Sequence, residues 1–376
     1  MSGKRAVLIY SDSSHVSASR TVEILRRLGY SEFTLYAFER ENWNWTGFTK
    51  EIEMVSLGKV RSRRYLQRLP RIFAAANLVK RLESRREQPA DLVYSSMQDC
   101  GLIGARLCRR ETKFVYEIVD LRNTLESRSL LSKLVRLLDK RIATRANALV
   151  FTAEGFLLRY YEPLCPGTSR KAIIIEPRLP SDWETGSRPG QRSPRLPIRV
   201  AYVGLVRYAD RWAPLIEAVG KRSDRFEFHI HGVGQDVELI KELARKYENV
   251  YYHGGFSSDQ RREIYENIDL SCAVYDNTIT NVRLAIPNKL FESLYFGVPL
   301  LVAADTSLAE RVQAIGSGFV VDPRKPGFAE EFLDSITPEA LSNASGIAIA
   351  QPIRDLLLNL DESSDRLNHI LTAGCA

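Results

Sequence analysis

Short apolar runs alternate with amphipathic stretches at helical spacing from one end of the chain to the other. Residues 5–11 read as a buried strand. A serine-rich loop (Ser11, Ser13, Ser14, Ser17), a helix over 18–28 stopped by Gly29, and a strand over 33–38 follow. The order continues with strand 90–95, helix 98–110, strand 112–119, helix 130–145, strand 148–151, helix 153–161 and strand 172–175. Residues 181–197 then hold eight Pro, Gly or Ser and little apolar content, the composition of a linker. Strand–loop–helix units resume at 198 and run through strands 225–231, 250–254, 269–274 and 300–303. Strands that alternate with helices predict parallel sheets, because each crossover needs a helix's length of chain. The expected fold class is α/β: two doubly wound Rossmann-like domains, with the N-terminal one over 1–180, a linker over 181–197 and the C-terminal one over 198–350. Residues 351–376 form a final helical segment.

A length of 376 residues suits two domains, and 44% hydrophobic content supports two real cores. No apolar run reaches the length of a membrane span, and the five apolar residues after Lys4 and Arg5 read as a first strand rather than a signal peptide. The five cysteines show neither CxxC pairing nor metal-ligand spacing, which points to reduced thiols in the cytoplasm and to no metal. Asp-x-Asp, HExxH, Walker A and GxSxG are all absent. The net charge of +7 conceals an asymmetry. Through residue 195 there are 35 Lys and Arg against 21 Asp and Glu, a net of +14; the remaining 18 basic and 25 acidic residues give −7. A basic N-terminal half predicts an acidic partner. Its densest segment, 59–87, includes Arg61, Arg63, Arg64 and Arg68 interleaved with apolar residues, and Pro70 is expected to break or kink any helix there. That segment reads as a peripheral surface on an anionic membrane or as a solvated amphipathic helix pair; no nucleic-acid module accompanies it. Trp43 and Trp45, in a polar stretch, are either interfacial anchors or packed onto the domain.

The most informative stretch is Ile286-Pro287-Asn288-Lys289-Leu290-Phe291-Glu292, ending at Gly297-Val298-Pro299 before the strand Leu300-Leu301-Val302-Ala303. Asn288 is the expected N-cap after Pro287. Leu290, Phe291, Leu294 and Tyr295 form one apolar stripe, and Gly297 ends the helix. A helix start that follows a strand offers free backbone N–H groups and a positive dipole end, which suit a phosphate. Lys289 adds a charge, and Glu292, one turn in, can accept from a ribose diol.

This string resembles the donor-binding helix of GT-B glycosyltransferases of the kind that build bacterial surface polysaccharides. The resemblance extends over 198–322 through Gly204 and Arg207, the Gly232/Gly234 turn, Gly254-Gly255-Phe256 and the strand at 269–274. It implies two domains facing a central cleft, with the last helix crossing back to the first domain. It also implies a nucleotide-diphosphate sugar as substrate, no cofactor, and a lipid-linked or polysaccharide acceptor. Arg207, Lys289 and the helix start would hold the diphosphate beside Gly204 and Asn288. Gly254, Gly255 and Phe256 would cradle the base, and Glu292 would hold the ribose. On the acceptor side, Ser13, Ser14, His15 and above all Asp120 at a strand's carboxyl end are candidates, with Asp120 the general base or acceptor ligand and Glu117 second. A helix N-cap is the competing role for Asp120. The chain departs from the family pattern in three places. Val119 stands where many retaining relatives have His, Leu284 where many have a second Glu eight positions before Glu292, and Tyr208-Ala209-Asp210-Arg211-Trp212 where a Lys-Gly pair is common. These leave the stereochemistry open and assign sugar-pocket duty to the 276–283 loop. A sugar-nucleotide epimerase or a non-catalytic nucleotide-sugar-binding scaffold are the alternatives on the same fold.

Overall fold

In the computed structural model, which describes residues 3–11, 16–39, 52–59, 65–122 and 129–373, the apolar runs become two all-parallel sheets. The first contains β1 (Lys4–Tyr10), β2 (Tyr30–Glu39), β3 (Glu53–Lys59), β4 (Leu92–Ser96), β5 (Lys113–Ile118), β6 (Ala148–Phe151) and β7 (Ala172–Ile174), in the order β3-β2-β1-β4-β5-β6-β7. The second contains β8 (Ile198–Val203), β9 (Phe226–His231), β10 (Val250–Gly254), β11 (Leu270–Ala273), β12 (Leu300–Ala303) and β13 (Gly318–Val321), in the order β10-β9-β8-β11-β12-β13. Both are doubly wound α/β sheets, as the alternation predicts. In each the strand order reverses beside the first strand, at β1/β4 and at β8/β11. Ligands of such sheets bind at the carboxyl ends of the strands flanking that reversal.

The chain forms two compact units. One comprises residues up to Glu176 together with Asn359 onward, and the other is Pro177–Leu358. The last helix, Leu360–Ala373, therefore crosses back to the first unit. There it packs on the Val16–Arg27 helix, with Arg27 Nε 2.8 Å from Asp361 Oδ1. In the second unit, the residues of β8 and β9 that face the helices interlock with Trp212, whose ring stacks on Tyr202 at 4.4 Å between centroids.

Four local details differ from the sequence reading. The 181–197 stretch belongs to the second unit and is bonded to it. Trp183 meets Tyr295 and Phe296 edge-on, and Arg192 donates to the carbonyls of Tyr265 (2.6 Å) and Glu266 (2.8 Å). Its Pro, Gly and Ser content marks irregular backbone, which is not the same as unattached backbone. The helix Tyr65–Glu83 runs through Pro70, which lies early in it and on its exposed side. Strand β3 is an edge strand, mostly half-buried or exposed, so its sequence shows no clear apolar alternation. Finally, the helix Asn288–Phe296 is preceded by Pro287 in the N-cap position and no side chain caps it; Asn288 is its first helical residue.

Candidate donor site in the second unit

Three strand-end loops meet at the carboxyl edge of β8, β9 and β10. Gly204 N–H donates to the His231 carbonyl (2.8 Å), Val206 N–H to the Val233 carbonyl (2.9 Å), and Gly232 N–H to the Gly254 carbonyl (2.6 Å). The approach is close enough to require glycine. A Cβ on Gly232, whose φ is 153°, would lie 1.8 Å from the Gly204 carbonyl oxygen, and one on Gly234 would lie 1.9 Å from that of Val206. Gly255 in turn sits against Val233. The glycines quoted from the sequence thus pin three loops into one rim, with Phe256 half-buried beside Gly255.

Lys289 lies beneath this rim. It is 7% exposed, and its Cε lies 3.6 Å from where a Cβ on Gly204 would stand. Its ammonium donates to the Cys272 carbonyl on β11 (3.1 Å) and rests 3.6 Å from the ring centroid of Tyr202 on β8, with Tyr275 at 5.3 Å. These contacts place the charge at the β8/β11 reversal. Among the described residues Lys289 has no carboxylate partner. Burial pushes the Cys272 thiol up to about 11 and the Tyr202 phenol well above its ordinary value, so neither neighbour supplies a negative charge. A buried cation without a counter-ion is costly, and a carbonyl and two ring faces offset only part of that cost. Arg207, half-buried on the same rim, lies over the Tyr208 ring and also has no carboxylate partner among the described residues. Tyr208 itself holds a left-handed backbone (φ 57°) at the turn into the Ala209–Gly220 helix.

One turn into the Asn288–Phe296 helix, Glu292 is buried, accepts from the Tyr265 hydroxyl (2.9 Å) and pairs with Arg261 (3.2 Å). One partner is spent on each carboxylate oxygen, and the remaining lone pairs stay available for a further donor. Its C-terminal carbonyls are bound as firmly as its N-terminus is open. Arg188 donates to the carbonyls of Leu294 (3.0 Å), Tyr295 (3.3 Å) and Gln351 (2.8 Å), and Gly297 takes the left-handed cap. Leu284, in the place of the absent glutamate, is buried in the short Thr280–Leu284 helix. In the 276–283 loop, burial pushes the Asp276 carboxyl up, but hydrogen bonds from Thr278 and Arg211 outweigh it and hold the group below its ordinary value. Arg211 is thereby committed to Asp276 at 3.1 Å.

The acceptor-side residues belong to the first unit. Asp120 is exposed just beyond β5. It does not cap the next helix, Leu130–Arg145, because Ser129 does so, its Oγ accepting from Ser132 N–H (3.1 Å). Glu117 is a correction to the sequence reading. It is wholly buried within β5, ion-paired with Arg20 and near the Tyr10 hydroxyl, and so serves as an internal counter-charge rather than a base for a substrate. Ser13, Ser14, His15, Trp43, Trp45, Arg61, Arg63 and Arg64 lie outside the described residues, as does the side chain of Arg68.

Residues 197–337 match the family model described as "Glycosyl transferases group 1". Over that segment the second unit is similar to the group 1 glycosyl transferases. The whole chain superposes on solved GT-B structures at low identity, which establishes the GT-B fold for both units. Sucrose-phosphate synthase from Thermosynechococcus elongatus is 13% identical, with a TM-score of 0.73 and 98% of each chain covered. Anabaena HepE in complex with UDP is 12% identical, with a TM-score of 0.68 over 98% of this chain and 100% of that one. WaaG, a glycosyltransferase involved in lipopolysaccharide biosynthesis, is 15% identical, with a TM-score of 0.65 over 96% and 99%. No curated protein matches the sequence. The matched segment contains the glycine rim, Arg207, Lys289 and Glu292. The residues that sequence reasoning missed, Tyr202, Cys272, Tyr265 and Arg261, come from three other elements that only the fold brings to the Asn288–Phe296 helix.

Proposed function

We propose that this glycosyltransferase moves a sugar from a nucleoside-diphosphate donor, held by the second unit, to a hydroxyl of a lipid-linked or polysaccharide acceptor in cell-surface polysaccharide assembly. The observation that carries this reading is Lys289, a buried cation without a carboxylate partner among the described residues, set at an uncapped helix start and under a glycine rim. A diphosphate supplies the missing negative charge. As the glycosidic bond breaks, charge accumulates on the leaving phosphate. In this reading Lys289, Arg207 and the helix start stabilise it without a divalent metal. Asn288 contributes a first-turn N–H; Gly204 allows the phosphate close to the backbone; Gly254, Gly255 and Phe256 receive the base; Glu292 accepts from the ribose. Asp120 takes the acceptor proton or orients the hydroxyl. Anabaena HepE has been solved with UDP-glucose, which supports a nucleotide sugar as the donor class here.

A cytoplasmic, membrane-peripheral location is part of the same proposal. Among the described residues no helix is long and apolar enough to cross a membrane. The Leu130–Arg145 helix nevertheless exposes Leu130, Leu134 and Leu137 beside Lys133, Arg136, Lys140 and Arg141, an apolar stripe flanked by cations that suits an anionic lipid surface. The experiment is a panel of nucleoside-diphosphate sugars tested for protection against thermal unfolding. One donor should raise the melting temperature of the wild type and fail with Lys289→Met. Absence of any binding donor overturns the proposal, and sugar-nucleotide turnover without an acceptor turns it toward an epimerase.

A further inference from the structure

Three of the chain's five histidines, His229, His231 and His253, converge at one place on the second sheet. The cause lies in the strand pattern. Alternate residues of β9 face opposite sides, so Phe226, Phe228 and Ile230 enter the core while Glu227, His229 and His231 line the other face, half-buried. The edge strand β10 runs alongside, and its register shifts between Tyr252 and Gly254, at His253. His253 then comes within reach of both histidines of β9. One ligand nitrogen from each ring lies within 4.8 Å of the others, and His229 Nδ1 is 3.1 Å from His253 Nε2. Two imidazole nitrogens on a tetrahedral zinc ion are about 3.3 Å apart, given Zn–N bonds of about 2.0–2.1 Å.

We infer that His229, His231 and His253 form a binding site for one borderline divalent transition-metal ion, zinc foremost, which fastens the edge strand β10 to β9. The ligand set is all imidazole, which favours Zn2+, Ni2+, Co2+ or Cu2+ over Mg2+ or Ca2+. The tautomer is suited to it. Glu227 Oε2 lies 3.2 Å from His229 Nε2, so a proton held there leaves the Nδ1 lone pair aimed into the cluster. A carboxylate behind a ligating histidine is the usual supporting arrangement of such sites. The rings are nearly parallel, His231 on His253 at 4.2 Å and His229 to His253 at 5.3 Å between centroids. Loading the ion therefore turns them about their Cβ–Cγ bonds, which the half-open face permits. His253 is exposed, and the fourth position falls to solvent.

The test uses the full-length, untagged protein stripped with chelator and titrated with Zn2+ and, separately, Co2+ by calorimetry and visible absorption, without donor or acceptor. One equivalent should bind per chain, with a tetrahedral Co2+ spectrum and a raised melting temperature. His231→Ala and His253→Ala, which alter half-buried and exposed side chains, should abolish the site while leaving the metal-free melting temperature near wild type. Glu227→Gln should weaken binding by about 10–100-fold. His369→Ala should change nothing. Failure of either ion to bind saturably, or wild-type stoichiometry in both histidine variants, overturns the inference, and neither result bears on donor binding.

Discussion

Lys289 and Glu117 are both buried charges, and substitution should separate their roles. Lys289→Met removes a cation that no carboxylate among the described residues balances, so the melting temperature should hold within a few degrees while donor affinity falls. The loss of a charge-assisted phosphate contact costs about 1.5–3 kcal/mol, roughly 10–150-fold in a dissociation constant measured by calorimetry. Glu117→Gln does the reverse. It strands Arg20 in the first unit's interior and should cost about 3–5 kcal/mol in urea unfolding. Asp120→Asn, at an exposed position, should leave stability alone and lower turnover at saturating substrates by about 10²–10⁴-fold. Another buried carboxyl sets a pH dependence. Burial pushes Asp139 up to about 6, although Tyr161 and Tyr116 both donate to it, at 2.7 and 2.9 Å. The folded state then holds a proton between about pH 4 and 6 that the unfolded chain has released. The first unit should therefore lose up to about 3 kcal/mol as pH rises through that window, and Asp139→Asn should flatten this slope in unfolding curves taken at pH 4, 5 and 7.

At the scale of elements, the glycine rim is the exacting part. Gly232→Ala or Gly234→Ala drives a Cβ into the backbone of the neighbouring loop, so each should cost about 1–3 kcal/mol in chemical unfolding of the second unit and weaken donor binding with it. Sequence reasoning could see the glycines but not their contacts, since Gly-x-Gly is common and close approach depends on strand order. The Asn288–Phe296 helix was legible for a better reason: its stop signals, apolar stripe and charged residues all lie within one turn or two of each other. Its cap was misread because Asn is a good N-cap in general, yet Pro287 takes that position here. Where Lys289 ends up was not legible, since the Tyr202 ring and the Cys272 carbonyl arrive from two other strands. The 181–197 stretch was misread for a related reason. Its anchors, Trp183, Arg188 and Arg192, are long side chains whose partners lie about 75–165 residues away in sequence. The histidines of β9 and β10 were in plain view, but 22 residues separate His231 from His253, and the shifted register that joins them has no sequence mark.

For the molecule as a whole, the alternation of strand and helix predicted both sheets, and the crossing of the last helix followed from the fold resemblance. The two units differ in one respect that matters to the living cell. Residues 177–358 are contiguous, whereas the first unit is closed by the Leu360–Ala373 helix, whose Leu367 and Leu371 are buried on it. During synthesis the first 176 residues emerge early, but their closing helix is made after the entire second unit. At about 5–20 residues per second the wait is roughly 10–40 seconds. The unit translated second is thus ready to fold first, while the earlier one stands open with a face of its Val16–Arg27 helix bare. That interval is where a chaperone has something to hold, and where a ribosome paused before residue 360 leaves a chain prone to stick to its neighbours.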